Sequence, residues 1–388
     1  MKSLQSHIDE SLFAPDSADT DKVADRVSKA LAVEKFFDVC FALGNYVYTA
    51  DKFNEKYGYR LNGTSLELFT KKLPAYKDNI KFFNWKNDFG FTIDIPDNAW
   101  ATAGLEFNGF TEDDFTGVFT KMDTPNFFKI PSLCIFSAEH LKSLKGLGRF
   151  IANDIYIEDS NIENLTISSR PKYTEDYPCV TKMINVLKCD IKNVVDVVAD
   201  SRISFHHCAI ANISQITTNN TSNSGVSFDF CDFGPSAFSH ADIQSQTSIS
   251  FYECNLKDFS GANFFAKEGL KLSRMLDLKA LGACKIKCLT LSIVCCNKIT
   301  SFKDIKSIDC SNVTLYESDG FTSFEGLPDK LSILRVDHCK IDYNKFNLKG
   351  FPKVTGTLSW ISNKSQKIPN ELLKFLRDKS KGAATDIT

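Results

Sequence analysis

Leu331-Ser332-Ile333-Leu334-Arg335-Val336-Asp337-His338-Cys339-Lys340-Ile341 decides the fold. Leu334 and Val336 precede Cys339 by five and three residues, and Ile341 follows it by two. Side chains alternate across a β-strand, so Leu334 and Val336 share one face while Arg335 and Asp337 share the other. The same frame recurs at Cys254 (Ile249, Phe251, Leu256), Cys208 (Ile203, Phe205, Ile210) and Cys189 (Ile184, Val186, Ile191). Cys231 carries it with Val226, Phe228 and Phe233, and Ser160 with Ile155, Ile157 and Ile162. Fainter copies centre on Ala138, Met275, Cys296, Ser318 and Asn363.

Those centres lie 22, 29, 19, 23, 23, 21, 21, 22, 21 and 24 residues apart. The long interval contains Arg170-Pro171-Lys172-Tyr173, which reads as a loop insertion. A near-constant period with Leu331, Leu334, Val336, Cys339 and Ile341 in place resembles the leucine-rich-repeat pattern L-x-x-L-x-L-x-x-N/C-x-L. Gly326-Leu327-Pro328-Asp329 resembles the turn that precedes each strand in bacterial members of that family. The resemblance covers about residues 130–365, and the leading leucine is missing from most units. It implies an irregular leucine-rich-repeat-like parallel β-solenoid of the α/β class, with a neighbouring β-solenoid class as the alternative. One unit cannot bury its apolar face alone, so stacking supplies the core.

The ends are organised differently. Residues 1–19 read as a short peptide and the linker Ala14–Asp19, and residues 20–130 as a small α+β cap domain. In the cap domain a helix is expected from Thr20 or Asp21 to about Leu43, with strands at Phe91–Ile95 and near Gly104–Phe107. Residues 131–365 are the solenoid, and residues 366–388 a capping helix from Pro369 followed by a disordered tail after Lys379.

The chain has 388 residues, net charge −2 and 24% charged residues, so nothing directs it to nucleic acid or an anionic membrane. No stretch approaches the roughly 20 apolar residues that cross a bilayer. The polar start is no secretory signal, which implies a host cytoplasm or a virion interior, reduced thiols for the 13 cysteines, and no disulfides. Thirty-three phenylalanines fall largely on inward positions and read as core filling.

His206-His207-Cys208, Cys284-x3-Cys288, Cys295-Cys296 and His338-Cys339 contain metal-ligating residue types. A structural zinc site converges paired ligands, whereas these cysteines recur once per unit. They are expected to stack as a ladder, with no metal and no cofactor. The outward positions then form the candidate binding face, with Tyr156, His206, Asp229, Phe230, Tyr252, Glu253 and Arg274 toward its first part. Tyr316, Glu317, Arg335 and Asp337 continue it, and Ser204 and Ser273 are read as exposed hydroxyls beside them. Aromatic anchors ringed by charge suit a protein or glycan partner. Asp229 and Glu253 on neighbouring strands also admit a glycan-active enzyme, since glycosidases use two carboxylates. The chain has no phosphate-binding loop, nucleophile elbow or dinucleotide fingerprint.

Leu4, Ile8 and Leu12 are spaced by four and form an apolar stripe on a short helix. With Met1-Lys2 before the stripe and Ile8-Asp9-Glu10-Ser11 within it, the segment resembles the capsid-targeting peptides of internal head proteins of large T-even-type phages. The resemblance implies docking on a prohead scaffold and cleavage by a maturation protease between Glu10 and Ser11. The expectation is a non-enzymatic, phage-encoded repeat protein, virion-associated or co-delivered, that binds a protein partner. The alternatives are a cytoplasmic interaction module unrelated to virions and the glycan-active solenoid enzyme.

Overall fold

The computed structural model describes residues 59–62, 65–68, 104–108, 110, 113–116, 128–148, 150–168, 177–220, 225–362 and 367–388. The expectations for the N-terminal peptide, the linker, the helix at residues 20–43, the strand at Phe91–Ile95, the Arg170–Tyr173 insertion and the Asn363 centre lie outside them. The chain divides into two compact units, residues 1–190 and 191–388.

The strands of the first unit are β1 (Tyr59–Asn62), β2 (Ser65–Leu68), β3 (Gly104–Asn108), β4 (Phe128–Phe136), β5 (Leu141–Ser143), β6 (Phe150–Glu158), β7 (Asn161–Ile167) and β8 (Cys179–Leu187). β1 and β2 pair antiparallel; β2, β3, β4, β6 and β8 then pair in parallel sequence, as do β5 and β7. Parallel pairing therefore reaches into the stretch assigned to the cap, and β3 coincides with the strand expected near Gly104.

The division falls one residue into β9 (Asp190–Ala199). β10 (Arg202–His206), β11 (Ala209–Thr218), β12 (Gly225–Asp229), β13 (Asp232–Phe233), β14 (Asp242–Ser245) and β15 (Ser248–Tyr252) follow. Longer strands come next, β16 (Asn263–Ser273), β17 (Lys285–Val294), β18 (Ser307–Tyr316), β19 (Lys330–Cys339) and β20 (Lys353–Ser362). Helix α1 (Asn370–Lys379) and β21 (Ala384–Ile387) end the unit. β10, β12, β15, β16, β17, β18, β19, β20 and β21 form one run of parallel neighbours. β11, β14 and the first part of β16 form a second run, and β16 joins the two through a register shift between Ala266 and Gly269.

The register is the one read from the sequence. Ile203, Val226, Ile249, Leu270, Leu291, Val313, Leu334 and Leu358 stack as one buried column. Phe205, Phe228, Phe251, Leu272, Ile293, Leu315, Val336 and Trp360 form the next. The Phe205, Phe228 and Phe251 rings lie nearly parallel, with centroids 5.2 and 4.8 Å apart. Phe233, Phe238, Phe259 and Phe264 meet this stack mostly edge-on, the geometry that aromatic quadrupoles favour.

The class differs from the expected α/β. Among the described residues α1 is the only helix, so the described fold is a parallel β-solenoid. The return segments explain the difference. Ile191, Val194 and Val197 in β9, and Ile210, Ile213 and Ile216 in β11, bury every third residue. They bridge laterally to neighbours instead of coiling.

The tail also departs from expectation. α1 buries Leu372 and Leu376 and sets Phe375 edge-on to Phe351 at 5.4 Å, as a cap should. Residues beyond Lys379 are ordered rather than loose: β21 adds to β20 with Ala384 opposite Thr357 and Ile387 opposite Trp360. Main-chain hydrogen bonds along the edge of β20 supply what the polar tail composition lacks.

The described repeat centres are buried, and the serine and cysteine centres are hydrogen-bonded. Cys254 Sγ lies 3.2 Å from the Phe228 carbonyl oxygen and 3.4 Å from that of Tyr252; Cys231 meets the Phe205 and Asp229 carbonyls at 3.4 and 3.5 Å. Ser318 Oγ donates to Tyr316 O at 3.1 Å and accepts from Cys296 N–H at 3.1 Å; Ser160 does the same with Glu158 O and Ala138 N–H. Serine and cysteine are thus interchangeable for one reason: each is a small donor and acceptor. Burial pushes the thiols of Cys296 and Cys339 up to about 11 and about 12, so they stay protonated and can donate. The twelve described cysteines carry thiols rather than disulfides.

Two outcomes are expected. Phe251→Ala lowers unfolding free energy by roughly 2–4 kcal/mol, as large-to-small core changes do, while Tyr252→Ala on the outer face costs far less; equal losses in denaturant titrations would refute the register. Cys254→Ser keeps the donor and stays close to wild type, whereas Cys254→Val leaves carbonyls unmatched and costs about 1–3 kcal/mol in the same assay.

Candidate binding face

Seven described turns of the second unit end in the left-handed backbone conformation that few non-glycine residues adopt. His207, Phe230, Glu253, Arg274, Cys295, Glu317 and His338 all have φ between 47° and 58°. Ser137, Asp159 and Lys188 adopt the same conformation in the first unit, at 53°, 49° and 50°. A non-glycine residue held there costs on the order of 1–3 kcal/mol and persists only where its surroundings over-determine it. Here they do. His207 N–H donates to Asp229 O at 2.9 Å, Phe230 N–H to Tyr252 O at 2.9 Å, and Glu253 N–H to Ser273 O at 3.0 Å. Arg274, Cys295 and Glu317 continue the chain onto Val294, Tyr316 and Asp337. The residue that follows each is the buried ladder residue, which locks the corner from inside.

The corner sends a side chain outward beside the last residue of each strand. In the second unit this yields adjacent pairs: His206-His207, Asp229-Phe230, Tyr252-Glu253, Ser273-Arg274, Val294-Cys295, Tyr316-Glu317 and Asp337-His338. The His207 and Phe230 rings stack at 4.9 Å with 15° between planes; His206 stands edge-on to His207 at 4.4 Å and to Phe230 at 5.5 Å. Phe230 meets Tyr252 edge-on at 5.2 Å. The Arg274 guanidinium sits 5.9 Å from the Tyr252 ring centroid, donating to its hydroxyl at 3.2 Å and to Glu253 at 2.8 Å. Farther along, Tyr316 is edge-on to His338 at 5.5 Å, and Ser359 donates to Asp337 at 2.7 Å. Arg335 is exposed, in register between Thr314 and Ser359.

The structure thus brings His206, Asp229, Phe230, Tyr252, Glu253 and Arg274 together on four neighbouring strands. Tyr316, Glu317, Arg335 and Asp337 lie on the strands that follow. Tyr156 belongs to the first unit, half-buried on β6; burial, then Asp154 and Cys134, raises its hydroxyl above the ordinary range. Lys188 pairs there with Glu158 at 3.3 Å. The hydroxyl reading needs correction: Ser204 and Ser273 are 7% and 6% exposed, because short side chains sink between taller neighbours on a pleated surface. Ser204 accepts from Ser227 at 3.0 Å.

Hydrogen bonds from Arg274, then Tyr252, hold the Glu253 carboxyl below the usual carboxylate range. At neutral pH it is an anion, not the proton donor that a glycosidase needs of one of its carboxylates. Cys295 was absent from the sequence reading of the face because the adjacent Cys296 is the ladder residue. It is half-exposed, with Sγ 3.4 Å from Glu317 Oε2. Among the described residues no group of three or more His, Cys, Asp or Glu is placed to hold a metal ion. No described helix is long and apolar enough to cross a membrane. No family model, curated protein or solved structure matches this chain.

Burial, then the Glu317 carboxylate, raises the Cys295 thiol above its ordinary range. Little thiolate exists at pH 8, so alkylation of the native protein at Cys295 should be slow. Glu317→Gln removes the anion, lowers the thiol and should speed that alkylation, read by peptide mapping. An unchanged rate would show that Glu317 does not control the thiol.

Proposed function

We propose that this chain is a non-catalytic binding protein that engages a protein partner through the outer strand face of residues 191–388. The reading is carried by one observation: the contiguous ridge of His207, Phe230, Tyr252 and Arg274, in which His207, Phe230 and Arg274 stand on corners locked by the ladder beneath and Tyr252 ends the strand between them. Aromatic rings and arginine are the residue types that dominate interface energetics. Their fixed positions reduce the ordering cost of association. Phe230 and Tyr316 are 37% and 38% exposed, large apolar surface that a partner would cover.

We further propose that the protein is phage-encoded and is carried in, or delivered with, the virion. The resemblance of Met1–Leu12 to capsid-targeting peptides supports this. Leu4, Ile8 and Leu12 supply the stripe that docks on the scaffold, and Ile8-Asp9-Glu10 is the segment read by the maturation protease.

Two experiments test these readings. A partner captured by the full-length protein should bind Phe230→Ala or Arg274→Ala weaker by about 2 kcal/mol or more, roughly thirtyfold in Kd, with an unchanged melting temperature. Wild-type affinity in both variants would exclude the ridge as the contact. In purified particles, mass spectrometry should find a chain beginning at Ser11; Glu10→Ala should stay untrimmed, and Ile8→Asp should be absent. An intact N-terminus in particles, or absence of the wild-type protein from them, would refute the virion reading.

A further inference from the structure

The C-terminal strand is held unlike the strands that precede it from β15 onward. β15 through β20 each bury two or more apolar side chains, but Ala384, Thr385 and Asp386 of β21 are exposed and only Ile387 is half-buried. Its hold is main-chain pairing. Thr388 N–H donates to Trp360 O at 3.0 Å, and Ser362 N–H donates to Thr388 O at 2.8 Å. Alternation in a parallel ladder then directs the Asp386 N–H toward β20 and the Thr385 N–H away from it.

The flanking element is anchored differently. Leu372 and Leu376 of α1 are buried, and the buried Ser380 closes the helix with its hydroxyl on Leu376 O at 2.8 Å. Between Ser380 and β21 lies Gly382, at φ 89° with no atom within 4 Å of a Cβ placed there. A fixed helix, an unobstructed glycine and a strand bound by backbone alone make a hinge and a detachable strap.

We propose that the edge of β20 is a strand-acceptor site, filled in the monomer by this chain's own β21 and able to take the β21 of a second copy. The second copy is the favoured occupant because its segment reproduces every bond of the resident one in the same parallel register. Two β20 edges meeting about a twofold axis would run antiparallel instead. Main-chain recognition tolerates the exposed Ala-Thr-Asp side chains, which is the physics of strand addition.

The test uses full-length proteins. Asp386→Pro removes the inward N–H and should release the strap, whereas Thr385→Pro removes an outward N–H and should behave as wild type. Far-ultraviolet circular dichroism and thermal unfolding establish that each variant is folded. A fluorescent peptide of residues 382–388 should bind Asp386→Pro. It should bind wild type at least about tenfold more weakly, since the tethered strap competes at millimolar effective concentration. The same peptide with proline at position 386 should not bind. On concentration and incubation, light scattering should detect an exchanged dimer of wild type and of Thr385→Pro that Asp386→Pro does not form. Failure of folded Asp386→Pro to capture the peptide, equal capture by wild type, or an equal dimer in Asp386→Pro would overturn the proposal. If Asp386→Pro does not fold, hydrogen exchange on the native chain decides. The Ser362 amide should exchange at least about tenfold faster than those of Leu334 and Val336, and equal rates would overturn it.

Discussion

The corner at the end of each strand is the constraint on which the rest depends. A buried serine or cysteine donates to a carbonyl two residues before it, and in several turns to a carbonyl of the preceding turn. That side chain satisfies backbone groups that the bend removes from the strand ladder, and an unmatched buried carbonyl would be costly. The residue before it lies in the left-handed region, where Phe230 and Cys295 have no intrinsic reason to be, and the same corner forms at Ser137 and Arg274, ahead of Ala138 and Met275. Where a serine or cysteine stands at the ladder, its hydrogen bonds help to offset strain at the outer residue; at Ser137 and Arg274 the corner's own N–H bonds, to Glu158 O and Val294 O, do so.

Register follows from this pairing. With every turn closed at the same relative position, inward residues fall into columns, and columns of like side chains pack without adjustment. Phenylalanine fills the core where Phe205, Phe228 and Phe251 stack, and branched aliphatics or tryptophan fill it from Leu272 to Trp360. The change is gradual because each turn need only match its neighbours, as in any array stabilised by nearest-neighbour interfaces. Glycine enters where backbones approach too closely for a side chain: at Gly326 a Cβ would lie 2.1 Å from Phe302 O.

Much of this was legible in the sequence because strand alternation and the ladder residue leave direct marks. Leu334, Val336 and Cys339 placed the inward columns, and the outward residues followed by subtraction. The return segments were not legible, since Ile210, Ile213 and Ile216 recur at a spacing that resembles a helix more than a strand. The corner conformation left no mark either, because the usual signal is glycine or asparagine and neither stands there. Ala384-Thr385-Asp386-Ile387 looked like tail because its stability comes from main-chain bonds to β20, which composition does not record. Of the candidate face, Phe230, Tyr252 and Arg274 were found by position, while Ser204 and Ser273 were misjudged because exposure depends on the height of neighbouring side chains.

The same division of labour supports the proposed role of the face in recognition. Residues that specify the fold point inward or sit at the ladder, and residues that a partner would touch sit on corners whose backbone is already determined. His207, Phe230, Glu253 and Arg274 share one backbone conformation and no chemistry. The corner therefore holds whatever side chain is placed there, within the steric limit that disfavours β-branched residues. Substitution on the ridge changes what is presented without changing how it is held, so affinity can be altered with little effect on stability. A surface of this kind gains from preorganisation: the rings stack on one another before any partner arrives, and the entropy of fixing them is already part of folding.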